Sequence, residues 1–221
     1  MSQWINEPMG ECITKTDPKF LSYFNSAMAT LPIYLYGNDV LKKKAKFITD
    51  VSNDDIRLIQ DMFDTMHDSN GIGLAANQVG ELKQILVLDI SDMEAGKGTE
   101  PLAMINPEIV EEDGEWEMEE GCLSIPDVRE KVKRPEKITV IYNDVNMNEI
   151  EMEADGMMAR VIQHELDHLN GILFIDHLSS TKRTLLRTRL KKISKGDVET
   201  EYETVIPGEE KAKTKLKKKK Q

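Results

Sequence analysis

His164, Glu165 and His168 are the residues of this chain best placed to do chemistry. On a helix, histidines four apart share a face and can grip one metal ion. Glu165 sits one step round, within reach of a water on that metal. The flanking Val161, Ile162, Leu166 and Leu169 predict a buried helix, and buried histidines beside acids need a partner such as a cation. The competing reading is a hydrogen-bonded structural cluster. Two imidazoles make an incomplete site, because catalytic sites of this kind use three protein ligands and keep one position open. A common protease pattern would place a third histidine at position 174, which is Phe174, and "LLRTRLKKIS" offers no acid further on. His177 lies beyond Gly171, where the helix should have turned away. It reads more simply as a surface or strand histidine. Cys122, in "EGCLSIP" between Gly121 and Pro126, is the stronger candidate. A lone cysteine is ordinarily a small buried hydrophobe; the tight loop and the unfinished histidine pair raise Cys122 above that.

The elements that must hold these residues follow from periodicity and punctuation. Ser52 caps a helix through about Asn70 whose stripe is Ile56, Ile59, Met62, Phe63 and Met66, and Gly71 stops it. "GIGLAANQVG" is glycine-rich. "KQILVLDI" and "LAMINPEIV" are strand candidates around the loop "SDMEAGKGTEP". "GEWEMEEGCLSIP" begins as a strand that Gly121 and Pro126 end, and "KITVIYNDVNMNEIEMEA" reads as two strands and a turn. Asp155 caps the helix "GMMARVIQHELDHLN", closed by Asn170–Gly171. An amphipathic helix around "STKRTLLRTRLKKIS" ends at Lys195–Gly196, and "KAKTKLKKKKQ" is too polar to fold. The pattern predicts an α+β fold: mostly antiparallel sheets packed around a central HExxH-bearing helix, with an N-terminal and a C-terminal helix.

Composition narrows the class. The 221 residues, 39% hydrophobic and 31% charged, fit one soluble domain, and no apolar run approaches a membrane span. Only Cys12 and Cys122 occur, so a disulfide scaffold is not expected and a reducing cytoplasm is. The net charge of −11 is unevenly spread. Residues 182–221 carry 14 Lys/Arg against 6 Asp/Glu, or +8, which leaves −19 on residues 1–181. An acidic body argues against broad or sequence-specific nucleic-acid binding, while the basic end suits an anionic contact. The chain divides into an N-terminal extension (1–30), a catalytic domain (31–196) and a charged, flexible tail (197–221); "MATLPIYLYG" at Met28 reads as a start in itself.

"GIGLAANQ" (71–78), "EGCLS" (120–124) and "QHELDHLNG" (163–171), in that order, resemble the three signature motifs of bacterial peptide deformylases. "YGNDVLKKKAK" and "GILFIDHLS" extend the resemblance over roughly Leu31 to Gly196. It implies a hydrolase that removes the formyl group from formylmethionine at the start of new polypeptides. It also implies Cys122, His164 and His168 as ligands of one Fe²⁺, with Zn²⁺, Ni²⁺ or Co²⁺ as substitutes. Glu165 would be general base and acid; the Gln78 side chain and the Leu123 backbone N–H would be oxyanion donors. Three protein ligands leave a position for water, whose lowered pKa yields hydroxide to attack the formyl carbon. Each oxyanion donor is worth on the order of 3 kcal/mol in comparable sites.

For the substrate, the resemblance implies backbone pairing at Ile72–Gly73 and an apolar first pocket, with Met157, Ile72 and Leu123 as walls. Arg129 would help bind the peptide backbone, and Arg134 would pair with Glu120. Arg160 borders the same pocket, its stem packed and its head expected in water. Asp167 reads as structural, and His67 as a cation at a helix end. A C-terminal helix that docks on the ribosome, as in some members, is a possible use for the basic end. Two rival functions are an HExxH endopeptidase and a non-catalytic ribosome- or RNA-associated protein with a structural metal.

Overall fold

The computed structural model describes residues 29–209. Cys12 and most of the lysine-rich end, residues 210–221, lie outside them, as does the reading of residues 1–27 as an appendage.

A five-stranded sheet organises the molecule, in the spatial order β2 (Gly73–Ala75), β3 (Ile85–Leu88), β4 (Leu102–Asp113), β7 (Lys137–Asn143), β8 (Glu149–Asp155). All its pairings are antiparallel. The run Ile85–Leu88 is apolar at every position because both faces of the sheet are covered. Leu86 and Leu88, with Ala75 and Met104, face α2 (Gly156–Leu169), meeting its Ala159, Val161, Ile162 and Leu169. Ile85 and Val87, with Leu74 and Ile105, face α1 (Asn53–Asp68), meeting its Ile59, Met62 and Met66. The helix that carries His164 and His168 is therefore pressed onto a sheet whose other face is held by a second helix.

A two-stranded ribbon, β5 (Trp116–Cys122) with β6 (Ile125–Arg134), meets α2 at Arg160 and His164. Its inward residues Ile125, Val128 and Val132 join Phe174, Leu190 and Ile193 in a third core. The last two belong to α3 (Ser180–Ile193). Phe174 is 1% exposed, and its ring stacks near His164 with centroids 6.2 Å apart. The position that a third histidine would fill in a protease is a core anchor here.

Most sequence expectations hold, with four local differences. "GIGLAANQVG", to which the sequence assigns no element, contains a strand and a 3-10 turn (Ala76–Val79). Pro126 stands inside β6, near its start, where a missing N–H costs little. Asp155 occupies the N-cap position of α2 without making a side-chain cap bond. His67 does end α1, but its partner is Asp89, 2.9 Å away.

The segment after Gly196 differs most. In place of a flexible tail from residue 197, it runs back across the molecule, and β9 (Thr204–Val205) pairs in parallel with β1 (Ile33–Tyr34). The backbone N–H of Leu35 and the Asn38 side chain both donate to the Val205 carbonyl. On α3, Lys182 and Arg189 are tied to Glu130 and Asp127 of β6. Among the described residues, no helix is long and apolar enough to cross a membrane.

Candidate metal centre and active site

Cys122 ends β5, while His164 and His168 stand one turn apart on α2. Their ligand atoms lie within 4.8 Å of one another, the one such group of three among the described residues. Cys122 Sγ is 3.2 Å from His168 Nε2. The two imidazoles meet edge to face with centroids 5.0 Å apart. One soft sulfur and two imidazoles suit zinc or a late first-row divalent ion. His177 stays outside this group: its Nε2 is bonded to Asp167, 2.7 Å away.

A second layer fixes these ligands. His164 Nδ1 is 2.9 Å from Glu120 Oε2, which leaves Nε2 for a metal and sets the ring's orientation. Arg134 grips both oxygens of Glu120, at 2.7 and 3.0 Å, and reaches Asp167 at 2.8 Å. Arg160 corrects the expectation of a solvated head: the residue is 3% exposed. Its guanidinium donates to Glu120 Oε1 at 2.8 Å, to the Val132 carbonyl at 3.1 Å, and to the Trp116 carbonyl. Glu120 is thus committed to His164, Arg134 and Arg160; it orients the His164 ring and has no oxygen left for substrate.

Electrostatics follow from this packing. Burial alone would raise the Glu120 pKa, but His164 and Arg134 hold it far below the usual carboxylate range. Burial disfavours charged His164, yet hydrogen bonds to Cys122 and Glu120 hold its pKa well above normal. Burial, reinforced by neighbouring His164, pushes His168 well below. Two acceptors thus converge on His164, and a bound cation would take the place of that proton. Glu165 is pushed up to about 7, chiefly by burial, and its Oε2 is buried without a hydrogen-bond partner. A carboxylate left in this condition beside three metal-capable side chains fits a group that meets a metal-held water.

The first motif forms the opposite wall. Gln78 is 1% exposed. Its Oε1 accepts from the Ala75 N–H at 2.8 Å, which turns Nε2 towards Cys122 Sγ (3.6 Å) and Ser124 Oγ (3.4 Å). A Cβ added at Gly73 would lie 2.5 Å from Glu165 Oε1 and 2.8 Å from Val161 Cγ1. Glycine is needed there for space. We expect Gly73→Ala to move the Glu165 carboxylate and cost about 100-fold in kcat, the scale of a 1 Å misplacement. Turnover measured beside metal content checks this; a Gly73→Ala protein with unchanged kcat would refute the assignment.

These walls enclose a cavity of about 680 Å³. Ile72, Met157 and Leu123, the expected apolar walls, all line it, as do Arg129 and Arg160. Among the lining residues that escaped the sequence reading are Glu199, Thr200, Glu201 and Tyr202, from the returning C-terminal segment. Ser124, the partner of Gln78, was also missed, because its burial is visible only in the fold.

An HExxH helix completed by an upstream cysteine, with a base, amide donors and a peptide-sized cleft, defines a metal-dependent hydrolase acting on an amide-type bond. Residues 30–184 match the family model described as polypeptide deformylase. The peptide deformylase of Salinibacter ruber is 47% identical over 188 residues, 81% of this chain and 96% of that protein. The crystal structure of the Legionella pneumophila enzyme superposes with a TM-score of 0.70 at 41% identity, covering 76% of this chain and 98% of that one. That of Ehrlichia chaffeensis in complex with actinonin gives 0.69 at 38% identity, covering 77% and 99%. The chain belongs to the polypeptide deformylase family, whose reaction is hydrolytic removal of the formyl group from new polypeptides.

Proposed function

We propose that Cys122, His164 and His168 hold one Fe²⁺, replaceable by Zn²⁺, Ni²⁺ or Co²⁺, and that Glu165 is the proton carrier of deformylation. The observation that carries this reading is the convergence of the three ligand atoms within 4.8 Å beside a buried, unpartnered Glu165 oxygen. Bound there, the ion would acidify a water and polarise the formyl carbonyl. Glu165 accepts the proton from the attacking water and returns it to the departing amine, a task suited to a group titrating near neutrality. Gln78 Nε2 and the Leu123 backbone N–H donate to the formyl oxygen as charge gathers on it. Gln78 does so without reorganising, because Ala75 already holds its other end.

β2 is an edge strand, so its outer side offers backbone groups to an extended peptide. A nascent chain paired at Ile72–Gly73 would lay its first side chain between Ile72, Met157 and Leu123, apolar walls that accept methionine. Arg129, exposed on β6 opposite Gly121, is placed to meet the peptide backbone. Arg160 acts behind that wall, through Glu120. A thiolate ligand on ferrous iron belongs in a reducing compartment, and the cytoplasm is the expected location.

Formate release tests this reading. Iron-loaded protein kept without oxygen is expected to release formate from formyl-Met-Ala-Ser, a chelator to abolish release, and air to inactivate the iron form faster than the nickel form. Peptide-bond cleavage without formate would sink the reading in favour of an endopeptidase.

A further inference from the structure

The turn that carries Leu123 is not fixed by its own backbone. β5 and β6 pair up to Cys122 opposite Ile125, leaving the two-residue connection Leu123–Ser124, with a register shift just before it. Two-residue hairpins whose twist matches the strands use a positive φ at the first central residue, or at both. Neither Leu123 nor Ser124 has one. Such a turn splays its strands unless something outside it sets its geometry. Three groups do so. Gln78 donates to Ser124 Oγ at 3.4 Å. The Tyr36 N–H donates to the Ser124 carbonyl at 2.8 Å. The Tyr202 hydroxyl donates to the Leu123 carbonyl at 2.7 Å.

Tyr202 arrives from residues 198–206, beyond the segment that matches the family model. Its backbone is secured independently of the site. Glu203 accepts from the Ile33 N–H at 2.8 Å, β9 pairs with β1, and Thr200 Oγ1 donates to the Tyr202 carbonyl at 2.8 Å. The phenol is largely buried, and burial, with nearby Cys122 and Asp127, holds its pKa well above the usual tyrosine value. It stays a neutral donor at every working pH. Two tyrosines flanking the β1–β9 pair thus clamp the turn together, Tyr36 two residues past β1 and Tyr202 two residues before β9.

We propose that Tyr202 is a positioning residue for deformylation: it anchors the Leu123 carbonyl so that the Leu123 N–H points at the developing oxyanion. The proposal rests on the oxyanion role given to Leu123 above. The carbonyl that Tyr202 holds is two backbone torsions from that N–H, so freeing one frees the other. The C-terminal segment is therefore part of the active site of this chain and not a trailing appendage.

Tyr202→Phe keeps the ring and removes only the donor. In iron-loaded protein with formyl-Met-Ala-Ser we expect kcat to fall about tenfold, part of the 10²–10³-fold value of a whole oxyanion donor. KM should stay within twofold and metal content should be unchanged. Deuterium exchange of the Leu123 amide should quicken, while amides of α2 keep their rates; this readout needs no activity, so it separates failure of the clamp from failure of the deformylase reading. A Tyr202→Phe protein whose kcat stays within twofold and whose Leu123 exchange is unchanged would overturn the proposal. A loss confined to KM would overturn it too, assigning Tyr202 to peptide binding. A loss of bound metal would also overturn it, assigning the residue to the Cys122 grip.

Discussion

Replacing Cys122 with alanine is expected to strip the site of metal and to cut formate release by more than about 100-fold. Even outer partners of metal ligands are worth roughly 10–100-fold in affinity or activity, and a direct ligand is worth more. Cys122 Sγ lies 3.2 Å from His168 Nε2, so its removal leaves two imidazoles to do the work of three ligands. His177 cannot step in. His177, the other histidine close in sequence, is held by Asp167, and Asp167 by Arg134. The fold should survive, because the thiol is small and sits in a turn whose flanking strands pair up to it. Metal content after dialysis and formate release from the same preparation check the result. A Cys122→Ala protein that retains one metal ion and full turnover would defeat the assignment.

Glu165→Gln is expected to do the reverse: keep the metal and lose the chemistry. Glutamine matches the shape of glutamate but cannot carry a proton between water and amine. A positioned acid–base group contributes roughly 10²–10⁴-fold, and the fall should appear in kcat with KM little changed. Stability should be equal or higher. Glu165 Oε2 is buried without a partner, a condition that costs free energy in the folded state, and glutamine avoids burying a charge. A glutamate kept for packing would show the opposite, a lower melting temperature and ordinary turnover. Retention of more than a tenth of the activity would sink the role given to Glu165.

How far the sequence anticipates these features depends on the distance over which each is specified. α2 is legible in full, because its apolar flanks repeat with the helical period and Asn170–Gly171 stops it. The proposed ligands His164 and His168 and the proposed base Glu165 come with it. β3 is legible as an apolar run, though only the fold shows that α1 and α2 cover its two faces. β2 escapes because three residues inside a glycine-rich stretch carry no periodicity. Arg160 is misjudged for another reason. A lone arginine on a helix says nothing of the carboxylate it will meet, and Glu120 lies 40 residues away in sequence. The C-terminal strap left a usable signal that total charge concealed. From Val198 to Thr204 small or apolar residues alternate with glutamate, and Thr200 and Thr204 are buried while Glu199, Glu201 and Glu203 are exposed. That is the period of a half-buried strand.

The two borders of the five-stranded sheet bear on a hazard separate from catalysis. An unpaired strand edge invites other chains to add to it, and aggregation begins there. β8 guards one border with Glu149, Glu151, Glu153 and Asp155, all exposed on alternate positions. β2 guards the other by brevity: three buried residues, followed at once by a 3-10 turn. A border that short can template the first residues of a passing peptide yet offers too little ladder to recruit a copy of itself. If nascent chains pair at Ile72–Gly73 as proposed, the sheet edge that receives them is kept no longer than that task requires.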